Sequence, residues 1–396
     1  MPGVARDTGG PRNVTAVAEG IETIRDLIED SAKSSTALRI AGRSHWIDAG
    51  RPVDAARIAS LVTHTGVADY VPGDLTITVR AGTTLKEIDE ITRAEGQWLP
   101  VDPFGARDGT IGATIATGSS GPLASSFGRM RDLVLGVEFI TGHGKVVRGG
   151  GRVVKNVAGF DLVRLITGSW GTLGVITEAT LRLYSLPSDT VTLALGASDS
   201  VTALQQRINS VLQSPGIPFA VELLDTALSE KIGIAGKQQI LVKLGGNAAA
   251  VSAQRTAIGS LGGAREMDEG IWERIRLVES SFAQTPIVMR LSCLPQRVAE
   301  TWNEARAIAD SAAGAVMHAT PSLGIIRCVL PGNTPLSLIE RLAGLGSSPT
   351  VIFERLPHDA WQRLSPSVAG DRISQRVKNA FDPHGILNPG ILGPIS

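Results

Sequence analysis

The chain has 396 residues, more than one typical core holds, so two domains or one domain with a large insertion is expected. With 43 % hydrophobic and 19 % charged residues it can bury a large core, and its 38 basic side chains balance 38 acidic ones, leaving no field for gripping nucleic acid. The two cysteines, Cys293 and Cys328, are too few for an iron–sulfur cluster or a four-cysteine zinc site, so any such cluster belongs to a partner.

Charges are mixed through the first thirty residues, and no apolar run approaches the roughly 18 residues of a membrane span. A soluble cytoplasmic protein with no membrane insertion is therefore expected. Ile21, Ile24, Leu27 and Ile28 fall at helical spacing, and the apolar run from Ala37 to Ala41 predicts a strand ending in the turn Gly42-Arg43-Ser44-His45. A second unit pairs the alternating Leu75, Ile77 and Val79 with a helix carrying Leu85, Ile88 and Ile91. From Gly105 to Gly174 the chain holds 16 glycines in 70 residues, interleaved with Ile111, Ile115, Leu133 and Phe139, which a linker would lack. Glycine at that density suggests main chain brought close to a ligand. Beyond Ser188 the composition is ordinary, with helices predicted near 201–213, 251–261, 298–312 and 336–343. Strand-like runs lie at 217–224, 239–243, 287–293, 325–330 and 350–353, which predicts an α+β unit. The tail, 378–390, is rich in turns and is expected to return to the first domain.

Several common signatures are absent. GSWGTLG (168–174) spaces its glycines by three and three, unlike the dinucleotide G-x-G-x-x-G, and GHGK (142–145) is followed by Val146 instead of the Ser or Thr of a P-loop. The six histidines never stand at i, i+4 spacing, and no G-x-S-x-G elbow occurs, which argues against zinc hydrolysis and serine esterase chemistry.

Four segments, in order, resemble the vanillyl-alcohol oxidase superfamily of FAD-binding proteins, the type-4 FAD oxidases. LRIAGRSHW (38–46) is similar to the pyrophosphate loop, GTIGATIATGSSG (109–121) to the second phosphate and isoalloxazine loop, GSWGTLGVITE (168–178) to the strand entry against the adenine, and FDPHGILNPG (381–390) to the closing motif. The resemblance implies an α+β fold, a two-subdomain FAD-binding domain of the p-cresol methylhydroxylase (PCMH) type with an inserted α+β cap. The expected division is 1–187 for the FAD domain, 188–369 for the cap and 370–396 for the returning segment. It also implies cofactor contacts at Ala41, Gly42, Arg43, Ser44, His45 and Trp46, at Thr110, Ile111, Gly112, Thr117, Gly118 and Gly121, and at Gly174, Val175, Ile176 and Asn388. Asp102, Gly128, Asp132 and Lys155 complete the set, Lys155 facing either flavin or solvent. Backbone amides in a tight turn can satisfy a diphosphate without basic side chains, so a neutral chain can bind FAD. Gly112 and Gly174 are expected where main chain meets cofactor. His45 lies one place beyond the usual covalent attachment site, Ser44 here, so non-covalent FAD is favoured.

GQWLPVDP (96–103), Gly73-Asp74-Leu75, GGGRVVKNVAGFDL (149–162) and RLSCLP (290–295) narrow the likeness, over nearly the whole chain, to the E subunits of bacterial glycolate oxidases. That likeness implies an FAD subunit acting with a catalytic D-type flavoprotein and an iron–sulfur subunit to oxidise glycolate, a small 2-hydroxy acid, to glyoxylate. A non-catalytic assembly or electron-relay subunit, and a stand-alone oxidoreductase of another hydroxy acid, remain open. The H-x-G-D-G-N-x-H stretch of the longer D-type enzymes is replaced here by HATPSLGIIR (318–327), so no metal is expected in the cap. Arg290 and Arg327, charges inside apolar strands, are the candidates for a substrate carboxylate, since guanidinium pairs with carboxylate bidentately. Each could equally be an outward-facing strand residue. His318 reads as a satisfied structural histidine or a base, and Trp170 and Phe160 as core or flavin-packing residues.

Overall fold

The helix expected at the start of the chain runs over Ile21–Ser34 and packs Ile24 and Ile28, both fully buried, beneath a three-stranded parallel sheet. In that sheet Arg57–Ser60 lies between Ala16–Glu19 and Leu38–Ala41. The computed structural model describes residues 16–19, 21–151, 160–345, 350–364 and 371–393. A five-stranded antiparallel sheet follows, in the order Val67–Val71, Thr76–Arg80, Val175–Arg182, Val134–Ile140 and Val146–Gly150. The helix Leu85–Ala94 begins in a capping box, where Thr84 Oγ1 accepts from the Glu87 amide and the Glu87 carboxylate accepts from the Thr84 amide. Between the two sheets lies the short helix Ile111–Thr117, which ends at Gly118 in a left-handed turn, φ +63°.

The C-terminal segment closes onto this half of the molecule. Ile386 and Leu387 enter the same apolar core as Ile24, Leu38 and Phe139, and the Leu38 amide donates to the Ile386 carbonyl at 2.8 Å. Lys378 Nζ, buried, donates to Asp382 and to the carbonyls of Thr172 and Leu387, tying the last helix, Arg372–Phe381, to the tail.

Apart from the short antiparallel pair Gln97–Trp98 and Tyr184–Ser185, the remaining strands form an eight-stranded antiparallel sheet built from two copies of one motif. Asp189–Gly196, Ala220–Leu224, Gln239–Gly246 and Arg265–Met267 make the first copy, and Ile287–Ser292, Val316–Thr320, Ile325–Leu330 and Thr350–Arg355 the second. Within each, the strands run fourth, first, third, second across the sheet, with a helix after the first and third: a ferredoxin-like βαββαβ unit. The copies join through their second strands, with Leu223 opposite Ala319 and Leu224 opposite His318. Three of these strands, Asp189–Gly196, Arg265–Met267 and Val316–Thr320, fall outside the strand-like runs read from the sequence. Strand alternation separates the faces: Val221, Leu223, Met289, Met317, Ala319, Ile326 and Cys328 pack under the helices around fully buried Trp302. The other face carries Glu222, Arg290, His318, Thr320 and Arg327, and turns toward the Gly-rich half.

Candidate functional site

A cleft of about 1040 Å³, counting its mouth open to solvent, lies between the two sheets of the first half. Its floor is the strand Leu38–Ala41 and the loop after it, its wall the helix Ile111–Thr117, and its end the turn at Trp170 and Gly171. No acceptor among the described residues takes the amides of Gly42, Arg43, Ser44 or His45, so four adjacent donors remain for a ligand. The loop meets the helix so closely that a Cβ on Gly42 would fall 2.4 Å from Thr110 Oγ1, which explains glycine there. Five described non-glycine residues have left-handed backbone, and three of them line this cleft: Ser44 at φ +63°, Trp170 at +54° and Asn388 at +41°. Strain gathered at one cleft is the mark of a constrained binding site.

Of the residues expected to hold the cofactor, Ala41, Gly42, Arg43, Ser44, His45, Trp46, Thr110, Gly112, Thr117, Gly174, Ile176 and Asn388 line this cleft. Their jobs differ. Asn388 is a buckle: its Oδ1 accepts from the Ile40 amide at 2.9 Å, and its Nδ2 donates to the Trp170 carbonyl at 2.7 Å. The hydroxyls of Thr110 and Thr117 are engaged with the helix's own backbone. His45 Nε2 lies 3.1 Å from Asp108 Oδ1. A Cβ on Gly112 would approach the Ala81 Cβ to 2.7 Å, and one on Gly174 would approach the Phe139 ring to 2.5 Å. Both glycines, while lining the cleft, therefore also pack closely against the core behind it.

The rest of that set lies outside the lining. Ile111 and Val175 are fully buried in the core, and Gly118 ends the helix. Asp102 is buried, accepts from the Leu123 amide, and packs against Gly121, whose Cβ would fall 2.0 Å from the Asp102 carbonyl. Burial pushes its carboxyl up to about 7. Gly128 packs on Asp132, whose carboxylate accepts from the Arg129 amide. Lys155 lies outside the described residues. Phe160, expected in the core or against flavin, is 91 % exposed, because it precedes the helix Leu162–Ile166 and points off its edge.

Arg39, Phe104 and Ser119 are among the cleft residues that the sequence reading did not single out. Arg39 is buried under the loop, donates through Nη2 to the Ile47 carbonyl at 2.8 Å, and leaves Nη1 with no partner among the described residues. Burial drops its guanidinium to about 10. Phe104 and Ser119 complete the wall. The signal for Arg39 was a charge in a four-residue strand beside the Gly turn.

Across from the cleft, the cap presents a buried ion network. Arg327, 2 % exposed, pairs with Glu279 and Glu354 at 2.5 Å each, so its fork is already taken; this corrects its expected role as a free carboxylate clamp. Burial alone would raise the Glu354 carboxyl, but Arg327 and Arg290 hold it below the ordinary range. Arg290 is freer: its Nη1 is 3.7 Å from Glu354, its side chain is 34 % exposed, and its Nε has no partner among the described residues. His318 is 1 % exposed with Nδ1 donating to Glu222 Oε1 at 2.6 Å, yet its Nε2 lacks a partner among the described residues, so it is not a fully satisfied structural histidine. Phe104 stands between network and cleft, its ring 4.1 Å below the Arg327 guanidinium and 4.9 Å from the His318 ring. No group of three or more metal-ligating side chains occurs among the described residues.

Residues 13–150 match the FAD binding domain family, and 358–392 the C-terminal domain of FAD linked oxidases. The free amides, the glycine cradle and the orphaned Arg39 nitrogen are what an anionic dinucleotide needs, so this is an FAD-linked oxidoreductase with FAD as its cofactor. Glycolate oxidase subunit GlcE of Escherichia coli (strain K12) is 32 % identical over 386 residues, covering 93 % of this chain and 96 % of that protein, and the chain belongs to that family. D-lactate dehydrogenase of Archaeoglobus fulgidus is 27 % identical, covering 78 % of this chain and 75 % of that one. Glycolate oxidase subunit GlcD of Bacillus subtilis (strain 168) is 36 % identical over 152 residues, 38 % of this chain and 32 % of that protein. Among solved structures, an alkyldihydroxyacetonephosphate synthase superposes with TM-score 0.67 at 17 % identity, covering 94 % of this chain and 75 % of that one, a likeness of fold alone. No described helix is long and apolar enough to cross a membrane.

Proposed function

We propose that the chain is the FAD-bearing subunit of a glycolate oxidase complex, in which a 2-hydroxy acid is oxidised to a 2-oxo acid and the electrons leave to a D-type flavoprotein and an iron–sulfur partner. The near full-length identity with GlcE carries this reading. In it, 1–187 and 370–396 make the FAD unit and 188–369 the cap. The amides of Gly42 to His45 hold the diphosphate, with Arg39 adding its free Nη1 from beneath. When bound, the cofactor supplies a two-electron acceptor. The flavin is held without a covalent bond, since His45 Nε2 already faces Asp108. Arg290 is the carboxylate-binding residue of the pair of arginines first singled out, because both terminal nitrogens of Arg327 are held in close ion pairs, whereas Arg290 is only loosely paired and its Nε has no partner among the described residues.

A second reading, electron relay without substrate oxidation by this chain, is favoured by one observation: Phe104 fills the space between the cleft and the cap's polar face. Anaerobic addition of glycolate or D-lactate to the FAD-loaded chain separates the two. Bleaching of the flavin's visible band by the isolated chain supports oxidation here. Bleaching only after the D-type and iron–sulfur subunits are added supports relay, and no bleaching in either setting ends the glycolate reading. Acid denaturation should release all yellow colour into the supernatant.

A further inference from the structure

Arg290, Arg327 and His318 are direct cross-strand partners: Arg290 lies opposite Arg327, and Arg327 opposite His318. Neighbouring strands are about 4.8 Å apart, so the three side chains form one row on the cleft-facing side of the cap. The ends of that row are chemically unlike its middle. Arg327 is neutralised by two carboxylates, whereas Arg290 and His318 each keep a nitrogen without a partner among the described residues. On the far side of His318, Glu222 is fully buried. It accepts from His318 Nδ1 at 2.6 Å through one oxygen and from Thr320 Oγ1 at 2.8 Å through the other. That bond fixes the ring's orientation and tautomer, leaving Nε2 of the neutral imidazole as a lone-pair acceptor. A buried polar atom left unpaired is costly, and such an atom persists where a ligand is to complete it.

We propose that His318, oriented by Glu222, is the base that takes the hydroxyl proton of the 2-hydroxy acid, with the Phe104 ring as the movable wall between it and the cleft. The inference rests on the reading of the chain as a hydroxy-acid oxidoreductase. The O–H proton passes to Nε2 and the C–O bond becomes the carbonyl of a 2-oxo acid, while FAD, when bound, would supply the two-electron acceptor for the hydride released from the broken α C–H bond. The resulting imidazolium is balanced by Glu222. The other charged groups around the dyad are Arg327 on the adjacent strand and Asp102 across the interface, both accounted for by partners of their own. The wall moves by side-chain rotation alone, because Arg276 holds the loop backbone on both sides of Phe104, donating to the carbonyls of Pro103 at 3.0 Å and Gly105 at 2.8 Å.

Two measurements on the FAD-loaded full chain, with its partner subunits if these are needed for bleaching, test this. His318→Gln should keep its flavin stoichiometry while the rate of bleaching falls about 10²–10⁴-fold and is partly restored by added imidazole. A rate within about threefold of the parent overturns the proposal, since a general base contributes far more. The second readout needs no turnover and covers a variant that fails to fold. With the flavin chemically reduced beforehand, glycolate or D-lactate should shift the nitrogen NMR signal of the His318 ring. No shift at saturating concentrations of either overturns the proposal, whatever the bleaching experiment gives. If the parent never bleaches and the ring signal shifts, the oxidase reading falls while His318 stands as the ligand-contacting group.

Discussion

The guanidinium of Arg355, on the last cap strand, donates to the main-chain carbonyl of His45 at 3.1 Å, in the middle of the loop whose amides face the cleft. The same group lies 3.2 Å from Asp48, pairs with Glu279, and covers the Trp46 ring at 5.2 Å. Just beyond the loop, the Gly50 amide donates to the Glu354 carbonyl at 2.8 Å. The cap therefore shapes the cofactor loop directly. Arg355→Ala should raise the dissociation constant for FAD about tenfold or more, the worth of a charge-assisted hydrogen bond, and Arg355→Lys should recover part of that. Flavin fluorescence titration measures it; an unchanged constant in the folded variant would show that the loop keeps its shape unaided.

Gly112→Ala and Gly174→Ala should destabilise the fold. In the helix, alanine gains up to about 1 kcal/mol over glycine, but overpacking against Ala81 costs about 1–3 kcal/mol, so the clash wins. At position 174 the new methyl meets the Phe139 ring and the Ile140 carbonyl, with no helix propensity to offset it. Urea denaturation of the apoprotein should show the loss at both positions. Equal apoprotein stability with weakened FAD binding would make cofactor contact, and not packing, the constraint on these glycines.

Arg290 and Arg327 should part company on truncation. Arg290→Ala, half-exposed and loosely paired, should leave the melting temperature nearly unchanged and weaken oxalate binding, read as a flavin spectral titration. Arg327→Ala removes the partner shared by buried Glu279 and Glu354, leaving them only Arg355 and the looser Arg290, and should cost about 3–5 kcal/mol. An unaltered oxalate titration in Arg290→Ala would remove it from the substrate site.

Asp102 imposes a pH dependence. Burial, the leading cause, raises its carboxyl to about 7 against the pull of the Leu123 amide, Arg276 and Lys243. Since the folded value lies above that of the unfolded chain, the protonated form favours folding. Its contribution is complete below about pH 4 and is lost as pH rises through about 7, at most about 4 kcal/mol in all. Asp102→Asn should therefore flatten the stability profile across that window and be more stable than the parent at pH 8. Parallel urea curves for the two proteins at acid and alkaline pH would contradict this.

The Gly-rich cleft was legible because its signal is local: Gly42, Ser44 and the 109–121 segment each carry their own turn or helix start, and their order supplied the rest. Arg290 and Arg327 stood out because they interrupt apolar strands, but the sequence left open which way they face. Their pairing was not legible, because Glu279 and Glu354 come from a short turn and an edge strand outside the two strands that carry the arginines. Phe104 was not singled out, since nothing local marks a ring that will sit between cleft and cap. The duplicated cap motif was hidden because the two copies fill one shared core with different side chains, so the repeat survives in strand order alone.

That doubling has an architectural consequence. Glu222 belongs to the first copy, His318 and Thr320 to the second, and they meet only where the two second strands lie side by side. Neither half of the cap owns the acid–imidazole pair; it is a property of the seam, and any slippage of one repeat along the other would unmake it without altering a single residue in either.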